Sequence, residues 1–232
     1  MVEYSGGFIS CIINRGDHIL DKKRYNVTRL LMLLNCGFAM VWERMKFQEL
    51  GDEEELSNEA KIRKFREKFS NCKCDGNLNI KDKLFFTNFS KNPEWSYIEI
   101  ELNEQKRRYD INEVLSAMNE GEVIKRSNLK YSQLIRSLRN SLGHGGIHPL
   151  SPQQSSNFKM KTFSEKRLHE HSKETIDKVF FVSKTGKETA NNSKGLTIIV
   201  MSVDAVHLFW EDWRDLLLKN EVFSYLDLDN AV

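Results

Sequence analysis

Hydrophobic positions divide the chain into helical and strand-like stretches. Between residues 22 and 50, Val27, Leu31, Leu34, Phe38, Val41 and Met45 recur at alternating spacings of four and three, and Leu30 and Trp42 broaden the stripe. This periodicity predicts one long helix, roughly 40 Å at 1.5 Å per residue, buried along one side. Phe8–Ile13 adds a helical turn before it, and Asn58–Phe69 reads as a short basic helix. YIEIEL at 97–102 alternates strictly, with Ile98, Ile100 and Leu102 on one face and glutamates on the other, which is a strand pattern. Asp110-x-x-Glu113 has the form of a capping box that opens a helix through Val114, Leu115 and Met118 to about Lys125. The next helix, over about 130–143, carries a core stripe of Tyr131, Leu134, Ile135, Leu138 and Leu142. Strand-like pieces follow at Phe158–Phe163, Lys178–Ser183 and Leu196–Met201. Ser202 then caps a last helix with Val203, Val206, Trp210, Trp213 and Leu217 on its core face.

Four main helices and a few short strands predict a mainly α architecture: an antiparallel helical bundle with small β-strand insertions. The 232 residues are expected to form a single domain over 1–232, long enough to bury a full core, with insertions at 72–105 and 150–201. The formal net charge of +2 gives no global field that would announce nucleic acid or membrane. Locally the balance is uneven. GDEEEL at 51–56 is acidic and KIRKFREKF at 61–69 mostly basic, while Lys125, Arg126, Lys130, Arg136 and Arg139 form a positive run with no acid between them. No stretch has the order of a signal peptide and no apolar run is long enough to span a bilayer, so a cytoplasmic protein with no membrane partner is expected. Cys11, Cys36, Cys72 and Cys74 then read as reduced thiols. Cys72-x-Cys74 and His169-x-His171 lie far apart and lack the usual ligand spacing, so neither a metal site nor a cofactor is expected.

The chemistry concentrates in SQLIRSLRNSLGHGGIHP, residues 132–149. On a helical wheel Arg136, Asn140 and His144 fall on one polar stripe opposite the leucines. Arg139 lies at the edge of the core stripe, about 140° from His144. One regular helix therefore does not aim both side chains at one point. Either the helix unwinds at Gly143, or a second copy supplies the missing half and a symmetric dimer gathers two arginines and two histidines in a shared cleft. Such a cleft suits phosphodiester cleavage: histidine exchanges protons near neutrality, arginine binds phosphate through a planar fork, and asparagine can hold either group in place. A plainer reading stands beside it. Gly145 could be an ordinary helix stop with His144 near the negative end of the dipole, and Arg139 could lie along the bundle and pair with a carboxylate. His18, His148 and His207 receive no role.

The string Leu138-Arg139-Asn140-Ser141-Leu142-Gly143-His144-Gly145, at the end of an amphipathic helix, closely resembles the signature of HEPN domains (higher eukaryotes and prokaryotes nucleotide-binding). Catalytic members share an arginine, often followed by Asn, His or Asp, and then a histidine after a short spacer; Arg139, Asn140 and His144 match that pattern. The likeness covers roughly 110–219, including the strand-like pieces and the capped helix at Ser202, and extends over 8–70 only as a helix pattern. The resemblance implies a helical bundle that dimerises through its motif helices, and metal-independent RNA cleavage that leaves 2′,3′-cyclic phosphate ends. Arg139 would neutralise the scissile phosphate, His144 would act by proton transfer or hydrogen bonding, and Asn140 would support them. Lys125, Arg126, Lys130 and Arg136 would be RNA-backbone contacts.

The reading expected from sequence is thus a homodimeric endoribonuclease of a defence or toxin–antitoxin kind, with RNA as substrate and an antitoxin or defence-system partner as its control. The alternative is a non-catalytic HEPN module that binds a nucleotide or a partner protein.

Overall fold

The structure is a computed structural model and describes residues 27–48, 58–76, 78–80, 83–101, 111–118, 121–151, 176–185 and 195–219. The expected turn at Phe8–Ile13, the strand at Phe158–Phe163, Leu102 and the His169/His171 pair lie outside the described residues. The chain packs as two compact units: residues 1–72, 76–91 and 207–232 form the first, and residues 73–75 and 92–206 the second.

In the first unit, the long periodic stretch folds as Val27–Leu33, Leu34–Ala39 and Met40–Gln48, consecutive parts of one helix, α1. The middle part is π-helical, and the Met40 N–H donates to the Asn35 carbonyl. That local widening serves a packing contact: the indole N–H of Trp213 donates to the Gly37 carbonyl at 2.9 Å. Helix α2 is Asn58–Asn71. A two-stranded antiparallel hairpin of β1 (Leu78–Ile80) and β2 (Lys83–Phe85) follows, then a short helix, α3 (Thr87–Lys91). The core here is aromatic. Phe38 meets Trp213 and Phe209 edge-on at centroid distances of 5.1 and 5.2 Å, and Phe69 packs on Trp42, Phe86 and Trp213.

The second unit is built on one five-stranded antiparallel sheet of order β4-β3-β7-β6-β5. Its strands are β3 (Trp95–Glu101), β4 (Glu122–Val123), β5 (Ile147–Leu150), β6 (Lys178–Thr185) and β7 (Gly195–Ser202). The central strand LTIIVM is apolar at nearly every position because both its faces are covered. One face, with Ile98, Ile100, Phe180, Val182, Leu196, Ile198 and Val200, packs on Val114 and Met118 of helix α4 (Ile111–Met118). The alternate residues, among them Tyr97, Val179, Phe181, Ile199 and Met201, are also buried and face helix α5 (Tyr131–His144). Helix α6 (Val203–Lys219) begins directly after β7, capped as expected: the Ser202 hydroxyl accepts the Ala205 N–H at 3.0 Å. Val203 and Val206 of this unit, and Trp210, Trp213 and Leu217 of the first, are all buried.

The architecture is mixed α and β, which corrects the mainly α helical bundle with small β-strand insertions expected from periodicity. The strand segments at 97–101, 178–183 and 196–201 fall within β3, β6 and β7, but they are not decorations. Trp95–Glu101 pairs along its whole length with Gly195–Met201, and β7 pairs with β6, so together they form a core layer. Periodicity marks such segments without revealing their distant partners. The helix expected to reach about Lys125 is described over Ile111–Met118 and does not reach that far, because the β-branched Val123 pairs with Ile98 in a strand. Among the described residues no helix is long and apolar enough to cross a membrane.

Candidate active site

Local sequence dictates how the motif helix starts and stops. Lys130 is extended, and its backbone N–H donates to the side-chain oxygen of Gln133 at 3.0 Å, closing the first turn of α5. At the far end Gly145 adopts the left-handed conformation, φ 72° and ψ 24°, and the N–H groups of Gly145 and Gly146 both donate to the Ser141 carbonyl. Gly146 answers a different demand. A Cβ there would lie 2.0 Å from the Val182 carbonyl oxygen, and the Val182 N–H donates to the Gly146 carbonyl at 2.7 Å. The two glycines therefore turn α5 straight into β5, the edge strand among the described residues, where Pro149 is tolerated because an edge position need not donate to a further strand.

The inner face of α5 buries Tyr131, Leu134, Ile135, Leu138 and Leu142, as the stripe predicts, together with two serines. The Ser141 hydroxyl donates back to the Ser137 carbonyl at 2.8 Å, and the hydroxyls of Ser137 and Tyr97 meet at 3.3 Å. Burial pushes the Tyr97 phenol up, against the opposing effect of its hydrogen bonds to Ser137 and Thr197. A polar link thus joins the motif helix to β3 beneath the apolar contacts.

The outer face carries the candidate chemistry. Gln133, Arg136, Gly143 and His144 are exposed, and Ser132, Arg139 and Asn140 are half-buried. At 100° per residue these positions fill an arc of about 140°, with Arg139 at one border and His144 at the other. The Arg139 guanidinium donates to Asn140 Oδ1 at 2.8 Å. Because Asn140 lies between the two borders, that bond draws the arginine away from the core and across the open face. Among the described residues no hydrogen bond or ion pair joins His144 to either of them. A single α5 therefore assembles Arg139 with Asn140 and leaves His144 presented separately.

The flanking basic residues fare differently from one another. Lys125, Lys130 and Arg136 are exposed. Arg126 is half-buried: its guanidinium donates to the Trp95 carbonyl at 2.7 Å and lies 4.1 Å from the centroid of the Trp95 ring, and burial pushes its pKa down. Sequence reasoning missed Lys73, which is exposed and sits directly opposite Lys130 in an antiparallel bridge. Two like charges facing each other across a bridge are unfavourable unless an anion joins them. No local signal marks this pair, because the bridge joins distant positions. Cys74, beside it, is buried, and its N–H donates to the Leu129 carbonyl at 2.8 Å.

The model of the family described as HEPN pEK499 p136 matches residues 7–222, nearly the whole chain. The chain belongs to this HEPN family. Membership carries a nuclease or nucleotide-related function in general terms, and the match includes the motif helix from end to end. No curated protein and no solved structure matches the chain.

Proposed function

We propose that this HEPN protein is a metal-independent endoribonuclease that works as a homodimer, in defence or as a toxin, with its site formed where two motif helices meet. The observation that carries this reading is the split outer face of α5. Arg139 is drawn by Asn140 toward one side of an acid-free helix, and His144 stands at the opposite border about 140° away. A two-fold partner offers the same face reversed, so the arginine of one copy can meet the histidine of the other.

The chemistry needs no nucleophile from the protein. The 2′-hydroxyl of RNA attacks the adjacent phosphorus; the P–O2′ bond forms as the P–O5′ bond breaks, leaving a 2′,3′-cyclic phosphate and a 5′-hydroxyl. Arg139 offsets the charge that grows on the phosphate oxygens, and Asn140 holds its guanidinium in place. His144 takes the 2′-hydroxyl proton or supplies one to the departing 5′-oxygen, with water filling the other role. Lys125, Lys130 and Arg136, with Lys73 beside Lys130, would contact the RNA backbone. Lys130 starts α5, roughly 20 Å by helical rise from His144, so these contacts would hold a strand lying along the helix. An antitoxin or defence-system partner would keep such an activity in check.

RNA cleavage in EDTA by wild type, Arg139→Ala and His144→Ala, with analysis of product ends, tests the proposal. Wild type alone should cut and leave 2′,3′-cyclic phosphates. If all three are folded dimers and none cuts RNA, a non-catalytic HEPN module that binds a nucleotide or a partner protein replaces the nuclease.

A further inference from the structure

Three glycines surround His144, and the fold of the chain accounts for two of them. Gly145 needs its left-handed backbone, and Gly146 needs to pass within contact of Val182. Gly143 has neither reason. It lies within α5 without a positive φ, it is exposed, and a Cβ built there would meet nothing within 4 Å among the described residues. Alanine would fit and would favour the helix, so glycine at this position works against the stability of the isolated chain.

Its place on the helix shows what the missing side chain leaves open. Gly143 lies four residues after Arg139 and three after Asn140, about 40° round the helix from Arg139 and about 100° from His144. It is a notch in the outer face between the two borders that carry the chemistry. Arg136 projects from the same sector two turns earlier, and α5 contains no aspartate or glutamate. Where two such faces approach across a two-fold, their arginines repel unless an anion lies between them, and a phosphodiester brings that negative charge.

We infer that Gly143 is the clearance through which the sugar–phosphate backbone of an RNA strand reaches the last turn of α5, placing the scissile phosphate between Arg139 of one copy and His144 of the other. The inference rests on the nuclease reading and adds a residue that sets which groups fit the site. Gly143 itself carries no chemistry; a side chain there would hold the strand away from Arg139.

The test uses the full chain as wild type, Gly143→Ala and Gly143→Leu. It measures thermal melting, mass by light scattering, RNA cleavage, and affinity for a 2′-O-methyl RNA oligonucleotide that cannot be cut. Both variants should melt at or above the wild-type temperature with unchanged mass. Gly143→Leu should lose at least tenfold in cleavage and in affinity for the uncut strand, with Gly143→Ala between it and wild type. Unchanged binding and cleavage in Gly143→Leu would overturn the inference, and so would loss of the dimer, which would make Gly143 a contact between copies. Should wild type cut nothing yet Gly143→Leu still weaken the oligonucleotide, the notch stands and the nuclease reading alone fails.

Discussion

The two units are held together by different means. The first concentrates its cohesion in a few large rings, Phe38, Trp42, Phe69, Phe86, Phe89, Phe209 and Trp213, meeting edge-on or tilted. The second spreads it along strands of isoleucine, valine and phenylalanine that share a hydrogen-bonded ladder. Arg139, Asn140, Gly143 and His144 all belong to the second unit, on a helix anchored by many modest contacts, and the first contributes none of them. Removing one ring from such a cluster opens a large cavity. A branched aliphatic removed from the sheet opens a smaller one, so the loss at a single position is smaller in the second unit.

The largest effect that would sharpen this contrast is Trp213→Ala. It removes ring contacts to Phe38, Trp42 and Phe69 and leaves the Gly37 carbonyl without its indole donor. A loss of about 3–5 kcal/mol is expected by denaturant unfolding. A loss under about 1 kcal/mol would show that the aromatic cluster is not the keystone of its unit.

Next in size, and opposite in kind, are the changes at the site. Arg139→Ala and His144→Ala should each lower cleavage by about a thousandfold, near 4 kcal/mol of barrier, and move stability by no more than about 0.5 kcal/mol. Mixing the two inactive variants makes the comparison sharper. In a heterodimer one arginine and one histidine remain intact and opposed, so activity should return to roughly a quarter of wild type in an equal mixture. No recovery after subunit exchange would place each Arg139–His144 pair within one chain.

The two regions also differ in how far sequence discloses them. The stripe of α5 and the core face of α6 could be read directly, because every position that makes the pattern lies within a few turns. The sheet could not be read as a sheet. Its central pairing joins residues near 98 to residues near 198, and IHPL in β5 carries a proline and a histidine that argue against a strand until its edge position is known. The Arg139-Asn140-x3-His144 signature was legible, and so was its awkward wheel angle. The Arg139–Asn140 bond and the Lys73–Lys130 bridge were not, since rotamers and distant pairings leave no periodic trace.

A third comparison comes from pH. Asp212 in the aromatic unit is buried and accepts the Phe89 N–H at 2.8 Å, steadying the start of α3. Burial raises its pKa from the ordinary 3.8 to about 6, backbone hydrogen bonds from Phe89 and Asn88 oppose the rise, and the nearby Asp215 and Glu211 add to it. A raised carboxyl favours folding when protonated. Its contribution is fully present below about pH 3.8 and is lost as pH climbs through about 6, a change of up to about 3 kcal/mol. Asp212→Asn keeps the acceptor and removes the charge. It should be more stable than wild type at pH 7.5 and lose that advantage by pH 4. An advantage that persists equally at both pH values would rule out titration of Asp212 as the cause.

The smallest effect probes the sheet unit at the motif itself. Tyr97→Phe deletes the hydroxyl that meets Ser137 Oγ, while the ring stays buried under α5. Ser137 keeps a hydroxyl that can turn toward another acceptor, so the loss should be about 1 kcal/mol, seen as a modest drop in melting temperature. Cleavage measured well below that temperature should stay within about twofold, because Leu134, Ile135, Leu138 and Leu142 together fix where α5 lies. A larger fall in cleavage at full stability would mean that the apolar contacts allow α5 to roll and that the Tyr97–Ser137 link sets its rotation. The outer face would then depend on one buried hydroxyl pair rather than on the apolar stripe beneath it.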